Sequence, residues 1–206
     1  SITFLLLIQC EAGLKAQDSL PVITGAERME AYLPLIRNKN LALVVNQTSV
    51  VGETLLPDTL LALHCQIKKI FAPEHGFRGT ADAGEFVSND VDAATGIPIV
   101  SLYGKNFKPT SDQLKGIDIV IYDIQDVGVR FYTYISTLHY LMEACAENNI
   151  ELLILDRPDP NGFYVDGPVL DSSLHSFVGV DPVPIVYGMT PAEYASMVNG
   201  EHWLHN

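Results

Sequence analysis

Apolar and polar positions along this chain fall into blocks that alternate between two periods. Continuous apolar runs rich in Ile, Leu and Val predict five strands, at residues 41–46, 67–73, 97–103, 117–123 and 150–156. Stretches with apolar residues at every third or fourth position predict helices at residues 26–40, 56–66, 110–116 and 132–148. A sixth strand at 182–188 and a helix at 190–199 follow. This alternation predicts an α/β fold, in which a mostly parallel sheet is covered by helices on both faces.

The helix predicted at 132–148 shows which side should face the sheet. Its apolar stripe consists of Ile135, Leu138, Met142 and Cys145. Glu143 and Glu147 fall on the other side, where we expect them to face solvent. Cys65 and Cys145 both lie in helical patterns far apart in the chain, which fits neither a metal-ligand cluster nor a dense disulfide framework. Both are therefore predicted to be buried free thiols.

Length, composition and charge narrow the class of protein. Of 206 residues, 48% are hydrophobic, and residues 18–206 are predicted to form one domain. The formal net charge is −13 and the chain has no basic run, so nucleic acid is not an expected partner. The composition gives no expectation for the oligomeric state.

The first 17 residues differ in pattern from this domain. The apolar run from Ile2 to Ile8, followed by small and polar residues, is typical of a signal peptide that lacks its initiator Met and basic region, and it predicts a periplasmic or secreted protein. Cys10 offers a lipoprotein as the alternative, although the preceding Gln9 is bulkier than the small residue that such cleavage favours. The run is too short to span a bilayer, and no later segment reaches about 20 apolar residues.

Polar side chains follow each of the five predicted strands. In open α/β sheets, ligands bind where the carboxyl ends of the strands and the following loops meet. These strand ends therefore predict a ligand site at one edge of the sheet. The residues are Asn46, Gln47, Thr48, Glu74, His75, Arg78, Tyr103, Asp123, Gln125, Asp126, Arg130, Asp156, Arg157 and Asn161.

Several kinds of site lack their sequence signatures. Glu74 and His75 are not part of a zinc motif such as HExxH, and the chain has neither the glycine-rich signatures of nucleotide-binding loops nor GxSxG, so no metal or cofactor is predicted. Asp123 or Asp156 could instead cap a helix, and Arg157 could pair with a neighbouring acid. Paired carboxylates remain, and they fit glycoside hydrolysis. Burial beside Phe71, Ala72 and Phe77 would help to keep Glu74 protonated.

Four ordered blocks carry a resemblance to a known family. The stretches "PEHGFRG", "YDIQDVGVRFYTYISTL", "LDRPDPNGFYVDGP" and "YGMTPAEYASMVNGE" resemble the bacterial exo-acting β-N-acetylmuramidases of the NamZ type, from about Gly25 onward. The resemblance implies a Rossmann-like three-layer N-terminal domain and a smaller C-terminal domain, with the active cleft between them. The implied reaction removes non-reducing terminal β-N-acetylmuramic acid from peptidoglycan fragments, which would be the partners of this protein.

The resemblance also implies roles for individual residues. Glu74 matches the catalytic glutamate and would be the general acid, with Asp123 or Asp126 as base or as stabiliser of the developing positive charge. The substrate-binding positions would be His75, Arg78, Gln125, Arg130, Tyr132, Arg157 and Asn161. Inversion, retention and assistance by the substrate's acetamido group all stay open.

Muramic acid carries a lactyl carboxylate, for which an arginine fork is the best-matched partner. Arg78 is the preferred candidate, with Arg130 and Arg157 as the others. The chain ends at "NGEHWLHN", where the family continues into its second domain, so a non-catalytic carbohydrate-binding remnant is the alternative function. We also expect Phe77, Phe131 and Tyr132 to be exposed at the carboxyl edge of the sheet.

Overall fold

The structure, a computed structural model, describes residues 21–78 and 90–205. Its strands are β1 Asn40–Val45, β2 Val50–Val51, β3 Thr54–Leu55, β4 Gln66–Ala72, β5 Asp90–Val91, β6 Pro98–Ser101, β7 Ile119–Asp123 and β8 Glu151–Ile154. Its α-helices are α1 Met29–Ile36, α2 Leu56–Ala62, α3 Ser111–Leu114, α4 Tyr134–Glu147 and α5 Pro191–Gly200. All five main predicted strands are therefore present, with ends shifted by at most two residues.

Six strands form the main sheet, in the order β5-β6-β4-β1-β7-β8. Every neighbouring pair is parallel except β5 with β6, which confirms a mostly parallel sheet. The chain runs outward from β1 through β4 to β6, returns to β7 on the other side of β1, and continues to β8. The loops after β4, β6, β7 and β8 consequently meet at one edge of the sheet.

The sheet is buried on both faces. Leu41, Leu43 and Val45 of β1 contact the layer that contains α1 and α2. Ala42 and Val44, which alternate with them, contact the layer formed by α3, α4 and α5. Because successive strand side chains point to opposite faces, an uninterrupted apolar run is what a central strand between two helical layers requires. The predicted three-layer sandwich is confirmed.

The predicted strand at 182–188 does not join the sheet. Val186 instead forms isolated antiparallel bridges with Val129 and Asp166. Pro182 and Pro184 lack the backbone N–H groups that a central strand would use, and they stand at alternate positions on the same edge. This segment is therefore a partner for the loop after β7 and not a sheet strand.

Other elements also differ from the prediction. β2 and β3 form a two-stranded hairpin that the pattern did not indicate, because two residues are too few to show a period. α1 spans eight residues with Pro34 inside it, and α3 spans only four. Glu143, expected to face solvent, is buried, because Lys108 and the backbone N–H of His205 both bind its carboxylate.

Cys65 and Cys145 are free thiols. Cys145 is buried, and this burial raises the pKa of its thiol to about 12. Cys65 is only half-buried, so the prediction is fully confirmed for Cys145 alone. Within 21–78 and 90–205, no helix has the length and apolar character needed to cross a bilayer. The predicted signal segment and Cys10 lie outside the described residues.

Candidate active site

Glu74 stands in a tight turn directly after β4. The backbone N–H of Gly76 donates to the carbonyl of Pro73 at 3.0 Å. His75 and Gly76 both have left-handed backbone angles, with φ of 71° and 76°. A histidine in this region is uncommon, and such residues concentrate at functional sites. The turn places half-buried Glu74 and His75 at the carboxyl edge of the sheet.

Two hydroxyl groups from neighbouring loops contact Glu74. Thr133 Oγ1, in the loop after β7, donates to Glu74 Oε2 at 2.8 Å. The hydroxyl of Tyr103, in the loop after β6, interacts electrostatically with Glu74. Burial raises the pKa of Tyr103, and the interaction with the glutamate raises it further. Both hydroxyls thus remain donors at neutral pH.

Asp123 and Arg157 form a buried ion pair. Arg157 Nε donates to Asp123 Oδ1 at 2.6 Å, and Nη2 donates to Oδ2 at 3.1 Å. The Asp123 side chain has no exposed surface, and that of Arg157 is 6% exposed. Arg157 Nη2 also donates to the carbonyl of Val50 at 3.1 Å. The pair therefore joins the ends of β7 and β8 to the β2–β3 hairpin, away from solvent.

Asp126 is buried in the loop after β7, with 2% of its surface exposed. Its Oδ2 accepts hydrogen bonds from Gly128 N at 2.7 Å and from the Tyr187 hydroxyl, whereas the buried Oδ1 has no hydrogen-bond partner among the described residues. Burial raises the pKa of Asp126, and the nearby charge of Asp159 adds to this shift. Gly128 has φ of 73°, and a Cβ there would collide with the carboxylate of Asp159.

Arg78 forms a two-pronged ion pair with Asp92. Its Nε and Nη2 donate to Oδ1 and Oδ2 at 2.9 and 3.0 Å. The Arg78 side chain is 37% exposed, and that of Asp92 is buried. The hydrogen bond from Arg78 lowers the pKa of Asp92 below its ordinary value.

The two buried aspartates predict opposite pH effects for the same substitution. The raised pKa of Asp126 means that its contribution to stability is present at low pH and is lost as the pH rises from 3.8 through the raised value. Asp126→Asn should therefore gain stability relative to wild type as the pH rises from about 4 to 7. Asp92→Asn should instead lose stability relative to wild type as the pH rises from about 2 to 4, because the lowered pKa of Asp92 stabilises the fold above its ordinary value of 3.8 and this effect is lost as the pH falls through the lowered value.

Thermal unfolding of the wild type and both variants at several pH values measures these effects. Parallel Tm profiles for the three proteins would contradict the assigned environments of both carboxylates. An Asp126→Asn profile that falls relative to wild type as the pH rises would contradict the assignment for Asp126 alone.

Three further predicted site residues bind backbone carbonyls. Gln125 Nε2 donates to Asp126 O at 2.7 Å and to Pro158 O at 2.8 Å. Asn161 Nδ2 donates to Val127 O at 2.8 Å. Arg130 Nη1 donates to the carbonyls of Pro168 and Val183. These bonds fix the loop after β7 against the segments that follow β8.

Tyr132 and its neighbour Phe131 are exposed, as predicted, with 48% and 57% of their surfaces accessible. Phe77, which we also expected to be exposed, is buried in the core under α2. In the described part of the chain, no group of three or more His, Cys, Asp and Glu side chains could hold a metal ion.

Comparison with known proteins identifies the fold of this site. A family model described as the N-terminal part of the exo-β-N-acetylmuramidase NamZ matches residues 41–206. The chain belongs to this family. It is 45% identical over 175 residues to the peptidoglycan β-N-acetylmuramidase NamZ of Bacillus subtilis. These 175 residues cover 82% of this chain and 42% of that protein.

Two solved structures of DUF1343 family proteins from Bacteroides fragilis share the NamZ-type fold with this chain. One has a TM-score of 0.79 and 50% sequence identity, the other 0.81 and 41%. Each comparison covers 89% of this chain, and 48% and 47% of the respective structures. The chain therefore spans less than half of the length of the Bacillus subtilis protein and of both Bacteroides fragilis proteins.

The structure brings the NamZ-type motif residues to one edge of the sheet but gives them different environments. Glu74, His75 and Tyr132 have solvent access, whereas Asp123, Asp126 and Arg157 are buried. The predicted role of each remains a prediction. Sequence reasoning did not assign Thr133 or Tyr187 to the site, although both lie within the family blocks. The sequence indicates Tyr103 only as a polar residue at the end of a strand, and it does not indicate the interaction of Tyr103 with Glu74.

Proposed function

We propose that this chain is the part of an exo-β-N-acetylmuramidase that supplies the general acid, Glu74. The substrate would be a peptidoglycan-derived saccharide with a non-reducing terminal β-N-acetylmuramic acid. Membership of the NamZ family and the peptidoglycan β-N-acetylmuramidase activity of the Bacillus subtilis relative support this proposal. Because the chain spans 42% of that relative, the complete reaction is proposed for the whole protein that carries it.

The accessibility of Glu74 is the observation that carries the proposal. Of the three acids predicted to be catalytic, Asp123 and Asp126 are buried, and Glu74 is half-buried at the carboxyl edge of the sheet. A general acid must come within hydrogen-bond distance of the glycosidic oxygen that it protonates. Of the three acids, Glu74 has the solvent access that such a contact needs, and this supports its proposed role. The burial of the two aspartates favours a different role for them, which is to hold the loop after β7.

The reaction requires proton transfer to the leaving oxygen while positive charge develops on the sugar ring. Glu74 would give its proton to the glycosidic oxygen, so that the aglycone leaves as a neutral alcohol. Tyr103 and Thr133 would then stabilise the glutamate carboxylate that results, since both hydroxyls can donate hydrogen bonds to it.

The three candidate partners of the lactyl carboxylate, Arg78, Arg130 and Arg157, differ in whether a carboxylate of the protein already neutralises their charge. Arg157 is neutralised by Asp123, and Arg78 by Asp92. Arg130 donates to two carbonyls, and no carboxylate in the described part of the chain lies within ion-pair distance of its guanidinium. It is half-buried and precedes the exposed Phe131 and Tyr132. We therefore propose Arg130, in preference to Arg78, as the arginine that binds the lactyl group.

Replacing Arg130 with glutamine should weaken binding of N-acetylmuramic acid by about 10- to 100-fold, since a hydrogen bond to a charged group contributes about 1.5–3 kcal/mol. Binding of N-acetylglucosamine, which lacks the lactyl group, should change little. The ratio of the two dissociation constants, measured by titration calorimetry, cancels any general disturbance of the loop. Arg78→Gln is the matched control and should leave that ratio near wild type. Equal losses for both sugars in Arg130→Gln would exclude lactyl recognition by Arg130.

Turnover of a chromogenic β-N-acetylmuramide by the protein that carries this chain tests the proposed function. We expect release of the chromophore from this substrate and little from the corresponding β-N-acetylglucosaminide. Binding of N-acetylmuramic acid without turnover would select the carbohydrate-binding alternative, and absence of both would contradict the proposal. Export to the periplasm or the medium stays a prediction, because the segment that supports it lies outside the described residues.

A further inference from the structure

Thr133 occupies a helix N-cap without capping the helix. Thr110 and Thr190, at the N-caps of α3 and α5, each accept a hydrogen bond at 3.3 Å from the backbone N–H three residues later. Thr133 precedes α4, but its side chain forms no such bond. Its hydroxyl donates to Glu74 Oε2 at 2.8 Å, across 59 residues of sequence. The usual local role of an N-cap threonine is therefore replaced by a contact with the proposed acid.

Tyr103 approaches Glu74 from the loop after β6, and its ring is held by other aromatic side chains. Its ring centroid lies 6.2 Å from that of Phe107 and 6.1 Å from that of Phe177. Phe107 and Phe177 stack at 3.9 Å, and Tyr140 of α4 stacks on Phe177 at 6.2 Å. Three separate parts of the chain thus fix the ring that carries the hydroxyl.

The backbone that carries Thr133 is fixed as well. Tyr132 N donates to Val129 O at 2.9 Å, and Arg130 N donates to Ile185 O at 2.8 Å. Thr133 O accepts from Thr137 N at 2.9 Å in the first turn of α4. The hydroxyl of Thr133 therefore has a defined place relative to β4 and its turn.

We propose that Thr133 and Tyr103 are positioning residues that hold the carboxyl group of Glu74 in the orientation needed for proton transfer. This inference rests on the proposed function of Glu74. A glutamate side chain has three rotatable torsions, so the position of its backbone does not by itself fix where the carboxyl oxygens lie. The hydrogen bond from Thr133 and the electrostatic interaction with Tyr103 restrict those torsions before substrate binds, and a misplacement of about 1 Å can cost about 10²-fold in rate. Thr133 contributes through a hydroxyl that a valine of the same shape lacks.

Thr133→Val and Thr133→Ser form the matched test, measured in the protein that carries this chain. Thr133→Val should lower kcat by about 10- to 100-fold with little change in KM, because substrate contacts remain while proton transfer is misaligned. Thr133→Ser keeps the hydroxyl and should restore most of kcat. A wild-type kcat in Thr133→Val, or equal losses in both variants, would overturn the proposal. Tyr103→Phe should resemble Thr133→Val.

Two further measurements separate positioning from folding and from the proposed function. Thr190→Val removes a hydroxyl that does cap a helix, so it should lower Tm while leaving kcat unchanged. Crystal structures of the Thr133 variants give a readout that needs no turnover. Displacement of the Glu74 carboxyl in Thr133→Val, but not in Thr133→Ser, supports positioning even if muramides are not hydrolysed. A Glu74 carboxyl that keeps its place in Thr133→Val would overturn the positioning role of Thr133. Absence of muramide hydrolysis by the wild type would separately contradict the proposed function.

Discussion

Replacing Glu74 with glutamine should abolish turnover of a β-N-acetylmuramide while leaving the fold intact. Loss of one general acid typically costs about 10²- to 10⁴-fold in rate. The amide has nearly the shape of the carboxyl group, and its oxygen can still accept the hydrogen bond from Thr133. It cannot deliver a proton. We therefore expect kcat to fall by at least about 10²-fold, with Tm and the dissociation constant for N-acetylmuramic acid close to wild type.

Glu53→Gln is the control for this change, because Glu53 is exposed in the turn between β2 and β3. It makes the same loss of one negative charge at an exposed residue outside the predicted site, and kcat should not respond. A kcat near wild type in Glu74→Gln would make Glu74 a structural residue of its turn. The acid would then have to be sought at Asp126 or at Glu85, which lies outside the described residues.

Arg157→Met should cause the largest loss of stability among these substitutions. In the wild type, burial raises the pKa of Asp123, and the hydrogen bonds and charge of Arg157 act in the opposite direction. Removing Arg157 leaves a buried carboxylate without its partner, for which losses of about 3–5 kcal/mol are typical. The free energy of unfolding from urea denaturation measures the effect.

Two controls separate the missing partner from lost packing. The double variant Asp123→Leu with Arg157→Met replaces both charges with apolar groups and should recover most of the loss, since buried pairs are often replaced at little cost. Arg78→Met also removes the arginine of a buried carboxylate, but Asp92 keeps a hydrogen bond from Thr95 at 2.6 Å and water can reach the partly exposed place of Arg78, so a smaller loss is expected. A loss below about 1 kcal/mol in Arg157→Met would show that Asp123 finds another partner or takes up a proton readily.

The strands that the sequence predicts well are those that carry an apolar run. β1 and β7 are buried along nearly all of their length, β4 and β6 toward their carboxyl ends, and β8, at the edge of the sheet, is half-buried after its first residue. β2, β3 and β5 contain two residues each, too few to show a pattern. The prediction of a strand at 182–188 is wrong because the apolar residues from Val183 to Tyr187 are preceded and interrupted by prolines, which cannot supply a strand's hydrogen bonds.

The sequence predicts the edge of the sheet at which the candidate site residues lie, but not which of these residues contact each other. Polar strand ends predict that these residues lie at one edge of the sheet, since topology alone brings the carboxyl ends of parallel strands together. Which acid is open to solvent depends on contacts between distant segments. Asp123 is buried because β7 and β8 are neighbours in register, so that Arg157, 34 residues later, reaches it. Thr133 resembles an ordinary N-cap in sequence, and only the fold shows that it faces Glu74.

The hydrogen bonds that hold the loop after β7 should tolerate substitution at their acceptors more than at their donors. Gln125, Arg130 and Asn161 reach across to backbone carbonyls, and so do the N–H groups of Arg130 and Tyr187. Every amino acid carries a carbonyl, so the accepting positions can change identity without losing these bonds. The donating side chains have no such freedom. A search for pairs of residues that change together would therefore pass over this loop, although it carries both Arg130 and Thr133.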